Sequence, residues 1–190
     1  MTNNKWSNLQ LYWFWIGSPI SLVACSWLVY AFYKYKRMHK PPGNLLILTI
    51  LWEMFVFFEL AYTSVNVIRQ GEVVDNTGWK IVGALTLYFW HLAWNYFTCL
   101  AFEIMYRMLR PTDLKYKLRF LIYNVLCHIP WICYVSYGIA NQEFGIADLK
   151  GWFTKRGSAL DVFFVIPFCI YFPMDIIFMC IAIFKAENRK

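Results

Sequence analysis

Glu53, Glu59, His91, Asn95, Asn124 and His128 are polar or ionisable side chains set inside long runs of apolar and aromatic residues. A carboxylate, an imidazole or a carboxamide can bind a ligand, pass a proton or hold a metal. Each is costly to leave unpartnered in an apolar medium. Glu53 and Glu59 are six residues apart, which on a helix turns them about 120° from each other and separates them by about 9 Å in rise. That spacing does not build a paired-carboxylate acid–base site. Each acid instead takes its own neighbour, as a structural hydrogen bond or as a contact to a ligand or ion.

His91, Asn95, Thr98 and Cys99 recur at helical spacing on one stripe, with Trp94 beside it. Asn124, Cys127, His128 and Trp131 repeat the i, i+3, i+4, i+7 pattern. Two stripes that each hold a His and an Asn predict a polar seam joining the third and fourth helical segments to the second. Two roles suit such a seam. One is hydrogen-bonded glue between helices, at about 0.6 kcal/mol per contact. The other is a small-ligand pocket lined by Glu53, Glu59, His91, Trp94, Asn95 and His128. No metal-ligand spacing, nucleophile elbow, phosphate-binding loop or dinucleotide fingerprint occurs. The sequence therefore predicts neither an enzyme nor a metal or other cofactor.

The elements that must carry these residues are membrane spans. Of the 190 residues 60% are hydrophobic, 21% aromatic and 15% charged, where a soluble domain runs near half apolar and about a quarter charged. The apolar residues gather in five blocks, 11–33, 44–68, 81–106, 118–140 and 161–184. Each is long enough to cross a bilayer, which takes about 20 residues. The expectation is an all-α, polytopic membrane bundle of five transmembrane helices forming one domain over 1–190. Pro41-Pro42-Gly43 punctuates the entry to the second span, and Pro19 is read as part of the opening turn of the first. Tyr12, Trp13 and Trp15 read as an interfacial belt, and Gly151-Trp152-Phe153 as an interfacial anchor in the longest connector. No cleavable leader is expected, because 1–10 is polar and 11–33 is long enough to span.

A formal net charge of +7 would suit a nucleic-acid partner, but its placement points to a membrane. Lys34, Lys36, Arg37 and Lys40 follow the first span. Arg107, Arg110, Lys115, Lys117 and Arg119 follow the third, and Lys185, Arg189 and Lys190 follow the fifth. The other ends hold only Lys5, Arg69, Lys80, Lys150, Lys155 and Arg156, largely offset by Glu72, Asp75, Glu143 and Asp148. Positive residues stay cytoplasmic, which predicts an outer N-terminus and a cytoplasmic C-terminus. The basic ends also suit anionic headgroups, at about 1 kcal/mol per residue. All six cysteines fall within the blocks, where they read as small buried hydrophobes rather than a disulfide or zinc framework.

At the inner end of the third span, Glu103 and Arg107 stand at i, i+4 in the favourable order, followed by Arg110 and Pro111. These read as an interfacial ion pair or headgroup contact, or else as a cytoplasmic switch. In the fifth span Pro167 and Pro173 lie inside, with Asp175 in the inner half.

Several short stretches resemble the cyclic-AMP-receptor-like group of G-protein-coupled-receptor-like membrane proteins. They are Pro42-Gly43-Asn44-Leu45-Leu46-Ile47-Leu48 with Glu53 nine residues after Asn44, Trp94-Asn95-Tyr96, Arg110-Pro111, Ile166-Pro167 and Tyr171-Phe172-Pro173. The resemblance runs over about 40–185 and covers the first five helices of a seven-helix fold. It implies a receptor-like protein and a G protein as partner. The acid–Arg spacing here is four residues, not adjacent as in rhodopsin-like receptors. Three functional expectations follow: a receptor-like protein that binds a small ligand in the seam, a non-catalytic accessory subunit among other membrane subunits, and an ion or proton pathway through Glu53, Glu59 and His91.

Overall fold

A computed structural model describes residues 5–70, 77–111, 115–144 and 159–188, with side chains left undescribed at 5–11, 66–70, 79 and 161–164. Among the described residues the chain is helical, without strands. The helices are α1 (Lys5–Lys34), α2 (Gly43–Gln70), α3 (Thr77–Leu109), α4 (Tyr116–Ala140) and α5 (Ala159–Glu187), with a short 3-10 turn at Lys36–His39. The five expected blocks thus each become one helix, extended at the ends by polar residues that sequence hydropathy omits.

Among the described residues, four helices are long and apolar enough to cross a membrane, over Tyr12–Lys34, Gly43–Val65, Tyr116–Ala140 and Val165–Glu187. The fifth expected span, α3, has the length at 33 residues, but His91, Asn95 and its Tyr and Trp residues dilute its apolarity. Packing explains the exception. α1 packs on α2, α2 on α3, and α3 on both α4 and α5. A helix surrounded by other helices meets protein on most sides, so it can carry polar groups that a lipid-facing helix cannot. The buried residues follow suit: Ala84, Thr86, Leu87, His91, Leu92, Ala93, Asn95, Tyr96, Thr98, Leu100, Ala101, Glu103 and Met105 all belong to α3. By contrast α1 and α5 present large apolar side chains outward, such as Trp27, Ile170, Phe172 and Phe184. An apolar exterior around a partly polar interior is the arrangement a bilayer selects.

Several local expectations change. α1 begins at Lys5, so Pro19 lies in the helix interior rather than its opening turn. The helix continues past it, giving up one backbone hydrogen bond. Pro130, Pro167 and Pro173 are likewise inside continuous helices. Of the cysteines only Cys25 and Cys127 are buried, with Cys99 partly so; Cys133, Cys169 and Cys180 lie on the outer surface. A thiol is apolar enough to face lipid, so burial in protein is not required of it. Gly43 opens α2 where an added Cβ would overlap the Met38 carbonyl oxygen, which accounts for glycine there. Gly151, Trp152 and Phe153, read as an anchor, lie outside the described residues.

Candidate functional site

Three polar assemblies are built around α3. The first closes the C-terminal end of α3 against α4. The Glu103 side chain is fully buried, and its carboxylate accepts from Arg107 Nε at 2.8 Å, one turn along the same helix. Arg119 of α4 adds a two-pronged contact, with Nε to Oε2 and Nη2 to Oε1 both at 3.0 Å. The Tyr123 hydroxyl donates to Oε2 at 2.9 Å. Each cation also lies over an aromatic ring: Arg119 is 4.3 Å from the Tyr106 centroid and Arg107 is 5.1 Å from that of Tyr116. The carboxylate is thus saturated by charge-assisted bonds, the condition under which a buried charge is tolerated. The expected Glu103–Arg107 pair forms, and α4 covers Glu103 and supplies two further partners. Arg110, grouped with the pair on sequence, does not reach the carboxylate. It is exposed, with its guanidinium 6.0 Å from the Tyr106 ring.

The second assembly lies between α3 and α4 in mid-bundle. Tyr88 OH is 2.7 Å from His128 Nδ1, and Tyr96 OH is 3.1 Å from His128 Nε2. Tyr96 OH also donates to Asn124 Oδ1 at 2.6 Å, while Asn124 Nδ2 donates to the Phe120 carbonyl at 2.7 Å. A tyrosine has one hydroxyl proton, so these distances fix the directions. Tyr96 spends its proton on Asn124 and must accept from His128 Nε2–H. With the ring neutral, His128 Nδ1 accepts from Tyr88, and the chain Tyr88→His128→Tyr96→Asn124 runs one way, with each bond polarising the next. The Cys99 and Cys127 sulfurs meet 3.8 Å apart beside it.

His91 does not join this chain. Its ring lies flat on the Trp131 indole, with centroids 3.7 Å apart and planes 2° off parallel, and edge-on to Trp94 and Tyr134. The two histidines expected in one pocket thus serve different contacts: His91 of α3 stacks on Trp131, and His128 of α4 meets Tyr88 and Tyr96.

The third assembly is open space. A cavity of about 570 Å³ is walled by Trp13, Phe14, Gly17, Ser18 and Ser21 of α1, by Glu53, Val56, Phe57 and Leu60 of α2, and by Trp90, Ala93 and Trp94 of α3. A second, of about 240 Å³, is walled by Glu53 and Trp94 again, with Phe97, Phe168, Tyr171, Phe172 and Asp175. Glu53 and Trp94 are therefore shared between the two cavities. Of the six residues expected to line a pocket, these two line both of these cavities. Glu59 points elsewhere: it faces Thr86, whose hydroxyl donates to the Val82 carbonyl, and its Oε2 is buried without a hydrogen-bond partner. Asn95 faces Tyr171, a wall of the smaller cavity. Thr98 faces Asp175, although neither Thr98 Oγ1 nor Asp175 Oδ1 completes a hydrogen bond. Among the described residues no three His, Cys, Asp or Glu side chains converge on a metal-sized site.

The sequence reading missed Tyr88, Tyr96 and Tyr123, and gave Arg119 only to the basic loop. A signal existed. Tyr123 follows Arg119 by one turn, and Tyr88 and Tyr96 are two turns apart on the helix that bears His91 and Asn95. A phenol deep inside a span needs a hydrogen-bond partner as an imidazole does, yet aromatic residues were read as belt or packing. Compared with protein-family models, curated proteins and solved structures, the chain matches none.

Proposed function

We propose that this is a receptor-like integral membrane protein that takes a small ligand into the groove between α1, α2 and α3. Glu53 and Trp94 lie at the floor, where the groove adjoins the smaller cavity beside α5. The observation that carries the reading is that shared pair: one ionisable side chain and one large aromatic side chain line both cavities. A carboxyl placed within a span is expensive and marks a functional position by default. About 570 Å³ falls in the size range of small-molecule sites.

In this reading all five helices span, with α3 shielded by its neighbours. The N-terminus is outside, and the basic segments after α1, α3 and α5 are cytoplasmic. The groove then opens in the outer half of the bundle, since its α1 wall comes from the N-terminal part of that helix and its α2 wall from the middle onward. The Glu103 cluster sits at the cytoplasmic end of α3, where a receptor would couple to a G protein. This part rests on the resemblance and on charge placement.

Orientation is tested by thiol labelling in sealed, right-side-out vesicles. Gly78→Cys is expected to react with a membrane-impermeant reagent, and Lys115→Cys only after permeabilisation. Reaction of Lys115→Cys in sealed vesicles would reverse the topology.

Ligand access is tested in the same vesicles. Ser21→Cys, on the groove wall, is expected to be modified by a small impermeant thiol reagent, as resolved by peptide mass spectrometry. If Ser21→Cys stays unmodified while Gly78→Cys reacts fully, the groove is closed to solutes and the ligand reading fails.

A second reading, an accessory membrane subunit, is favoured by the continuous outward apolar faces of α1 and α5, which suit a helical partner as well as lipid. Native mass spectrometry after gentle extraction separates the two. A stoichiometric protein partner supports the subunit, and a lone chain supports the receptor.

A further inference from the structure

Resting on that ligand reading, we infer that the groove is a site for a lipophilic organic cation, held by Glu53 and the indole faces of Trp13, Trp90 and Trp94. Among the described residues, the charged ones in the walls of the two cavities are Glu53 and Asp175, with no lysine, arginine or histidine beside them. Glu53 forms no ion pair or hydrogen bond among the described residues, in contrast to Glu103, which is saturated by two arginines and a tyrosine. The same protein that covers one buried acid completely leaves the other facing open space. An anionic occupant would be repelled by the Glu53 carboxylate, whereas a cationic one supplies the counterion that lets this carboxyl ionise.

The remaining walls complete the match. Trp90 and Trp94 stand edge to face, with centroids 5.9 Å apart and planes at 83°, so they present two differently directed ring surfaces to the groove. Trp13 closes it from α1. Indole is the best of the side-chain rings at attracting a cation to its face, and several such rings around one carboxylate form the kind of cage that binds alkylammonium groups. Besides Glu53, the Ser18 and Ser21 hydroxyls and the indole N–H groups, the described walls of the larger cavity are apolar. The ligand's remaining surface must therefore be apolar. A hydrated metal ion is disfavoured for that reason, since the walls supply too few oxygens to replace its water.

The test uses two ions of one size and shape and opposite charge, tetraphenylphosphonium and tetraphenylborate, on the full chain in nanodiscs. Saturable quenching of tryptophan fluorescence reports binding. The phosphonium is expected to bind saturably and the borate not to. Glu53→Gln is expected to weaken the phosphonium at least tenfold, and Trp94→Leu to weaken it several-fold. Trp94→Leu leaves the carboxylate in place and so gives a second reading if Glu53→Gln does not fold. Equal binding of both ions, unaffected by Glu53→Gln, overturns the cation assignment but leaves the groove a site for apolar ligands. Binding of neither ion overturns it as well, and the Ser21→Cys labelling then decides separately whether any ligand enters.

Discussion

Replacing Glu103 with Gln is expected to lower the unfolding free energy by about 3 kcal/mol, the largest loss from any single polar substitution in this chain. The reason is what the change leaves behind. Glu103 is fully buried and its single negative charge is shared by Arg107 and Arg119, so Gln removes the counterion of both guanidinium groups at the junction of α3 and α4. Removing one partner of a buried pair costs about 3–5 kcal/mol. The lower end applies because the Arg107 side chain is 33% exposed and water compensates part of its loss. Arg119 is 14% exposed, makes two of the bonds and spans two helices. Arg119→Gln should therefore cost more than Arg107→Gln. The expected order is Glu103, then Arg119, then Arg107, read from denaturant or thermal unfolding in nanodiscs. A Glu103→Gln loss under about 1 kcal/mol, or Arg107 outranking Arg119, would show that the cluster is hydrated and does not tie α3 to α4.

Tyr96→Phe is expected to cost about 2 kcal/mol, more than Tyr88→Phe at about 1 kcal/mol. Tyr96 is fully buried and its hydroxyl is the middle of the chain, donating to Asn124 and accepting from His128. Deleting it leaves a donor and an acceptor unmet at once, whereas deleting the Tyr88 hydroxyl removes one bond at the chain's start. An unmet buried group costs about 1–3 kcal/mol. Hydrogen bonds between membrane helices average nearer 0.6 kcal/mol, because the unfolded segment finds partners of its own. Two losses at a fully buried position place the expectation between those scales. Nitrogen chemical shifts of His128 provide an independent check: Nε2 is expected to carry the proton and Nδ1 to be bare. The opposite tautomer, or equal costs for the two phenols, would break the directional chain.

Much of the architecture was legible in the sequence because it depends on composition along a line. An apolar run of the right length must become a helix in a bilayer, since no other local structure satisfies its backbone. Each of the five blocks is a helix, and the glycine after Pro41-Pro42 marks the start of α2 to within a residue. The i, i+4 pair of Glu103 and Arg107 and the paired stripes on α3 and α4 were also readable, because one helix's own periodicity fixes which of its residues share a face. Hydropathy even carried a clue it could not explain, namely that α3 lacks the long apolar window that the other four helices have.

What the sequence left open is everything that depends on which helix lies against which. A stripe has a direction only relative to its neighbours. Periodicity placed His91 and Asn95 together without telling that His91 meets the Trp131 ring while His128, not His91, joins the phenols. Glu53 and Glu59 looked equivalent as two acids in one span. Their different surroundings, a shared cavity wall for one and Thr86 for the other, come from what each meets across the bundle at its own height on α2. Arg119 became a ligand of Glu103 only because α4 brings it alongside from 16 residues away. Helices form from local hydrogen bonds that the chain itself encodes. Sites between helices form from contacts across the bundle, whose partners are fixed only once the whole bundle has packed.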